Sequence, residues 1–169
     1  TDALFGDTHP SEMAWPLDLA DKVLALFPSL DDTTLYAPLA VGHHVDHQLL
    51  HRVGLILARR GHSVAFYEDY PYVARKGALE NAISVLPKGT WESRLVELEE
   101  SNIEAKITAI SCYTSQLKML FGSPEQVEPR IRAYASSLGS KTGYAERYWY
   151  LADWEATRPA GEEECSNRG

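Results

Sequence analysis

Thr34-Leu35-Tyr36-Ala37-Pro38-Leu39-Ala40-Val41 leads into Gly42-His43-His44-Val45-Asp46-His47-Gln48, and that into Leu49-Leu50-His51-Arg52-Val53-Gly54-Leu55-Ile56-Leu57-Ala58. The first segment is apolar and extended. The third places Leu49, Leu50, Val53, Ile56 and Leu57 at helical spacing. The order is therefore strand, polar turn, helix, with the helix read over 46–60 and stopped by Gly61. Ser63-Val64-Ala65-Phe66-Tyr67 follows as a second strand. A strand–helix–strand unit favours a parallel pair. The expectation is an α/β fold of Rossmann-like, three-layer form, with a largely parallel sheet. In such sheets ligands bind beyond the carboxyl ends of the strands, which is where the polar turn falls.

The turn carries three imidazoles and a carboxylate within five residues, 43–47. Neutral imidazole is a common zinc ligand, and a neighbouring carboxylate can orient its ring. His44 and His47 are three apart and share a helix face, as do His47 and His51 at four apart; a metal can bridge either pair. His43 can also pair with His47, but His44 fits a strand-end site better. His51 lies a turn deeper, before Arg52, and reads as a surface or packing histidine. A plainer reading stands beside these: a solvated helix start that Asp46 caps.

The remaining chain alternates in the same way. Leu17, Ala20, Val23, Leu24 and Phe27 line a helix over 16–27, stopped by Pro28. Pro38 implies a strand end that lacks one ladder bond and bends. A modest helix is read over 77–85, and strands over 91–98 and 144–151. Ser101-Asn102-Ile103-Glu104 reads as a capping box opening one long helix that Gly122 ends. Pro124 starts another, ended by Gly139. Residues 1–154 read as one α/β domain, incomplete at its N-terminus. Residues 155–169 hold nothing that can form a core and read as a disordered tail.

Composition sets limits. With 169 residues, 44% hydrophobic and 24% charged, the chain has the makeup of a soluble globular domain. No apolar run approaches the ~18–20 residues of a membrane helix. A net charge of −8 argues against nucleic acid or another polyanion as partner. Two cysteines, Cys112 and Cys165, make no disulfide framework, and a reducing, cytoplasmic setting is the simplest reading.

His44-Val45-Asp46-His47 resembles the H-x-D-H segment of the PIG-L/LmbE-like zinc N-deacetylases. Leu35-Tyr36-Ala37-Pro38-Leu39 resembles the strand before it, and Tyr67-Glu68-Asp69-Tyr70-Pro71-Tyr72 the next strand end. Tyr113-Thr114-Ser115-Gln116-Leu117 is similar to the family's Y-x-S-Q segment, and Glu146-Arg147-Tyr148-Trp149 to its closing strand. The likeness runs from about Leu4 to Leu151. The family opens with a strand ending in H-x-D-D, which supplies two zinc ligands and a catalytic aspartate, and that segment is not found here. The chain begins at Thr1, and its first residues resemble the middle of a family member. The expectation is the C-terminal half of a longer parent, needing its N-terminal half or self-association. His9 and Glu12 superficially resemble the opening segment, but no apolar strand precedes them, and they read as a loop before a helix starting near Ala14 or Trp15.

The resemblance implies a zinc-dependent amide hydrolase that removes an N-acetyl or N-acyl group from an amino-sugar or glycoconjugate. It implies His47 as a Zn2+ ligand and His44 as a catalytic histidine that stabilises the oxyanion or protonates the leaving amine. It implies Asp46 as the carboxylate that orients an imidazole. Tyr70, Tyr72 and Arg75 follow a strand end and are candidate substrate contacts, or else loop residues covering the sheet edge. Gln116 reaches a cleft or caps its own helix. Glu146 and Arg147 make ordinary strand contacts, or the arginine lines the cleft. Two other classes stay open: a non-catalytic remnant of the fold that binds a ligand or partner, and an acidic structural module with a fortuitous histidine cluster.

Overall fold

Strand β1 (Leu35–Pro38), helix α2 (Val45–Arg59) and strand β2 (Val64–Tyr67) form the expected unit. β1 and β2 pair in parallel, Leu35 opposite Val64 through Pro38 opposite Tyr67. The computed structural model describes residues 4–7, 9–27, 29–30, 32–85, 90–139 and 143–152. The expected tail, 155–169, lies outside the described residues. Before β1 comes α1 (Trp15–Leu26); after β2 come α3 (Ala78–Ile83) and β3 (Trp91–Leu98). The chain continues through α4 (Glu100–Ser111), α5 (Thr114–Phe121), α6 (Val127–Leu138) and β4 (Tyr144–Leu151).

The sheet order is β1-β2-β4-β3, and the expectation of a largely parallel sheet needs correction. β4 runs antiparallel to β2, with Phe66 opposite Trp149, and β3 runs antiparallel to β4 over the whole of 91–98. Among the described residues the sheet is mixed. Apolar periodicity marks a strand but not its direction. A usable signal was composition, because parallel strands are buried on both faces and read as continuous apolar runs. β3 instead carries Glu92, Arg94 and Glu97, and its residues are mostly exposed.

One core lies where α2 crosses the sheet. Val53 and Leu57 of α2 and Ala20 of α1 pack with Ala37, Val64, Phe66 and Trp149. Gly54 allows the approach: a Cβ there would sit 2.8 Å from both the Ala37 Cβ and the Phe66 ring. A second cluster joins Leu117 and Phe121 of α5 to Val127 and Ile131 of α6. Leu17, Phe27 and Leu50, expected in the core, are exposed. The long helix expected after Ser101 is two helices, broken where Tyr113 turns to ψ 52°. Its box is formed two residues earlier, with Glu99 N–H donating to the Asn102 Oδ1 at 2.9 Å.

Candidate active site

β1 ends in a buried run, Pro38, Leu39 and Val41, and the chain must then reverse into α2. It does so through left-handed backbone at Ala40 (φ 63°), Gly42 (φ 96°) and His43 (φ 60°). Positive φ costs a residue with a Cβ of order 1–3 kcal/mol, so other contacts must hold the turn. One is buried Asp69, which follows β2: its Oδ2 accepts from the Val41 N–H at 2.9 Å. Another is Tyr72, whose ring lies against Gly42 so closely that a Cβ would fall 2.6 Å from its Cγ. Gln48 is a third, donating to the carbonyls of Gly6 at 2.8 Å and His43 at 2.9 Å.

This turn delivers His44 as the N-cap of α2 and His47 one turn along, their rings 5.1 Å apart. His44 Nδ1 accepts from the Asp46 N–H at 3.3 Å, which leaves the proton of a neutral ring on Nε2. The Asp46 carboxylate is largely exposed, with Oδ2 3.9 Å from the same Nδ1. His47 Nδ1 lies 2.6 Å from Oδ1 of Asp69, whose side chain is 1% exposed. The alignment falls short of a regular hydrogen bond, and neither atom has another partner. The Asp69 contact raises the His47 pKa; burial opposes this, and the charges of Asp69 and Asp46 add to it.

Phe5 sets its ring edge against His44 at 5.4 Å and against Tyr72 at 5.9 Å. Arg75 lies over the Tyr72 ring at 5.5 Å. Ring contacts thus join His44 to His47 directly, and to Tyr72 and Arg75 through Phe5. Tyr70 turns elsewhere, stacking near Tyr134 at 5.1 Å and lining a cavity of about 330 Å3 with Tyr36, Tyr67 and Tyr148. Gln116 lines a separate cleft. His51 is a packing histidine, its Nδ1 on the Pro38 carbonyl at 3.0 Å and its ring against Phe66; burial lowers its pKa. His9 and Glu12 belong to a local turn before α1, with the Glu12 N–H on the His9 carbonyl at 2.9 Å.

The residue that sequence reasoning missed is Asp69. It stands in the quoted strand end 67–72, and an acid two residues past the end of an apolar parallel strand was the available signal. Its neighbour Glu68 is equally engaged. It accepts from Arg147 Nε at 2.5 Å, from Trp149 Nε1 at 2.9 Å and from the Tyr134 hydroxyl, and so ties β2 to α6 and β4. Arg147 is therefore half of a largely buried ion pair.

A zinc ion needs several such donors. With Nδ1 turned to a carboxylate, His47 keeps Nε2 for a metal, the arrangement usual for histidine ligands. Among the described residues no group of three His, Cys, Asp or Glu side chains converges to hold a metal. His47 fits as one ligand of a larger set.

The chain is an α/β fold with two histidines at the end of a parallel strand, and proteins of known activity resemble it. No family model matches. The chain is 33% identical over 133 residues to the 2'-N-acetylparomamine deacetylase of Niallia circulans, covering 78% of this chain and 38% of that enzyme. Among solved structures it is similar to the zinc-inhibited form of teicoplanin deacetylase Orf2, with a TM-score of 0.67, 24% identity, and 88% of this chain matched to 56% of that one. It is also similar to the A40926 pseudoaglycone deacetylase Dbv21, with a TM-score of 0.63, 20% identity, and 81% matched to 56%. The chain spans less than two thirds of the length of each. It is a homologue of deacetylases of the PIG-L/LmbE-like type, as its motifs indicated.

Proposed function

We propose that this chain supplies the strand-end part of a zinc-dependent N-deacetylase acting on an amino-sugar-containing small molecule or glycoconjugate, within a Rossmann-like, three-layer protein. His47 is a metal ligand through Nε2. A catalytic zinc site uses about three protein ligands and an open position, so the others come from outside the described residues. When bound, zinc lowers the pKa of water to about 7 and polarises the amide carbonyl.

The chain's own residues do the rest. Asp69 holds the His47 ring with Nδ1 inward and Nε2 outward. His44 presents Nε2–H, because its Nδ1 accepts from the α2 backbone. On the neutral ring that N–H hydrogen-bonds the developing oxyanion, whereas the ring protonated at both nitrogens gives its Nε2 proton to the departing amine and returns to neutral. Once the ring is fully protonated, the Asp46 carboxylate, 3.9 Å away, stabilises the charge. Tyr72 and Arg75 border the substrate side, and Tyr70 faces the neighbouring cavity. No helix among the described residues is long and apolar enough to cross a membrane, and the free Cys112 accords with a reducing, cytoplasmic setting.

The observation that carries this reading is the contact between His47 and a carboxylate buried at a strand's C-terminal end. The test is His44→Ala in the protein with its metal site complete. Zinc content should stay at the wild-type level while acetate release from N-acetylglucosaminyl substrates falls at least about 100-fold. Undiminished turnover would remove His44 from the chemistry.

A further inference from the structure

Two arginines from separate elements meet beside the candidate site. Arg75 follows the 3-10 turn Tyr72–Ala74, and Arg130 lies on α6. Both line one cleft of about 210 Å3, together with Phe5, Tyr72, Met119 and Leu120. Among the described residues no carboxylate lines it. Arg130 is fixed by its own bonds: its Nη1 donates to the carbonyls of Leu120 at 3.4 Å and Phe121 at 3.2 Å. Arg75 has the Tyr72 ring as its side-chain contact and no acidic partner among the described residues. The adjoining groove adds Lys76, opposed by Glu80.

Such a pair is out of character for a chain whose net charge is −8. A net negative charge disfavours anions in general, while two guanidinium groups lining one cleft attract them locally. It is also one aromatic ring removed from His44, since Phe5 touches both His44 and Tyr72 and Arg75 lies over Tyr72. Guanidinium forks suit carboxylate and phosphate oxygens, and the Phe5 and Tyr72 faces suit a sugar ring's apolar side.

We propose that this cleft is an anion subsite, and that the substrate is an N-acylated amino sugar carrying a carboxylate or phosphate group that Arg75 and Arg130 hold. The proposal rests on the deacetylase reading for the amide. The anion contact stands on its own geometry and is measured separately.

The test is calorimetric titration of the full protein, at fixed ionic strength, with neutral N-acetylglucosamine, its 6-phosphate, and the carboxylate-bearing N-acetylmuramic acid. At least one anionic sugar should bind about tenfold or more tightly than the neutral one, with inorganic phosphate competing. The phosphate and carboxylate arms show which group is preferred. Arg75→Gln and Arg130→Gln should each cut the margin about tenfold, and Arg75→Lys should restore part of it. Arg130 also holds the end of α5, so Arg75→Gln decides the matter if the other variant fails to fold. Equal binding of neutral and anionic sugars by the wild type, or a margin unchanged in Arg75→Gln, would overturn the subsite. Anion binding without acetate release would refute the deacetylase reading and leave the subsite standing. Acetate release with no anion preference would do the reverse.

Discussion

Replacing Asp69 by Asn tests the site through one proton. The swap keeps shape and volume, so no cavity forms around a side chain that is 1% exposed. The amide oxygen can still accept from the Val41 N–H, now at 2.9 Å from the Asp69 Oδ2. The amide nitrogen then faces His47 Nδ1, the position of the carboxylate oxygen 2.6 Å from it. A donor facing Nδ1 makes that nitrogen an acceptor and moves the neutral ring's proton to Nε2, where a metal must bind. Loss of a carboxylate partner of this kind costs about 10–100-fold in metal affinity, or about 1.4–2.7 kcal/mol. Loss of the carboxylate also removes the main cause of the raised His47 pKa, the hydrogen-bonding contact with Asp69, together with that residue's charge. Two assays read this: nitrogen NMR of the His47 ring for tautomer and titration, and zinc competition against a chromophoric chelator. An unchanged tautomer, titration and zinc affinity in Asp69→Asn would refute the argument.

Other outcomes follow from the same contacts. Gly54→Ala puts a methyl within 2.8 Å of the Ala37 Cβ and the Phe66 ring, and should cost about 1–3 kcal/mol in urea denaturation. Glu68→Gln leaves Arg147 without its counter-charge and should destabilise by about 3 kcal/mol in the same assay. The pH dependence has two opposed parts. His51, held below its usual 6.5 by burial, refuses a proton that the unfolded chain accepts, so stability is lost as pH falls below 6.5. His47, raised above 6.5 by Asp69, adds stability that is full below 6.5 and fades as pH rises through its folded value. Denaturation midpoints in His51→Gln should therefore fall less on acidification than in the wild type, and those in Asp69→Asn should fall more.

The unit β1–α2–β2 was legible because its period changes visibly from extended to helical around a polar turn. The strand-end position of His44 and His47 followed from it. Strand direction was not legible: β4 is reached from β3 through three helices, and its alternation reads the same in either direction. The break at Tyr113 was hidden because Ile107, Ile110 and Leu117 keep a helical rhythm across it. Asp69 escaped for a different reason. Its meaning lies in a contact 22 residues from His47, while Asp46 stands beside the histidines in sequence and points to solvent. Adjacency in the chain favoured the exposed carboxylate over the buried one.

The most direct measurement compares bound zinc in wild type and His47→Ala, by mass spectrometry, in the protein that carries the completed metal site. Acetate release from N-acetylglucosaminyl substrates is followed alongside. The account predicts stoichiometric zinc and turnover in the wild type, and loss of both in His47→Ala, since a three-ligand site would be left with two. Equal zinc and equal turnover in the two proteins would contradict it.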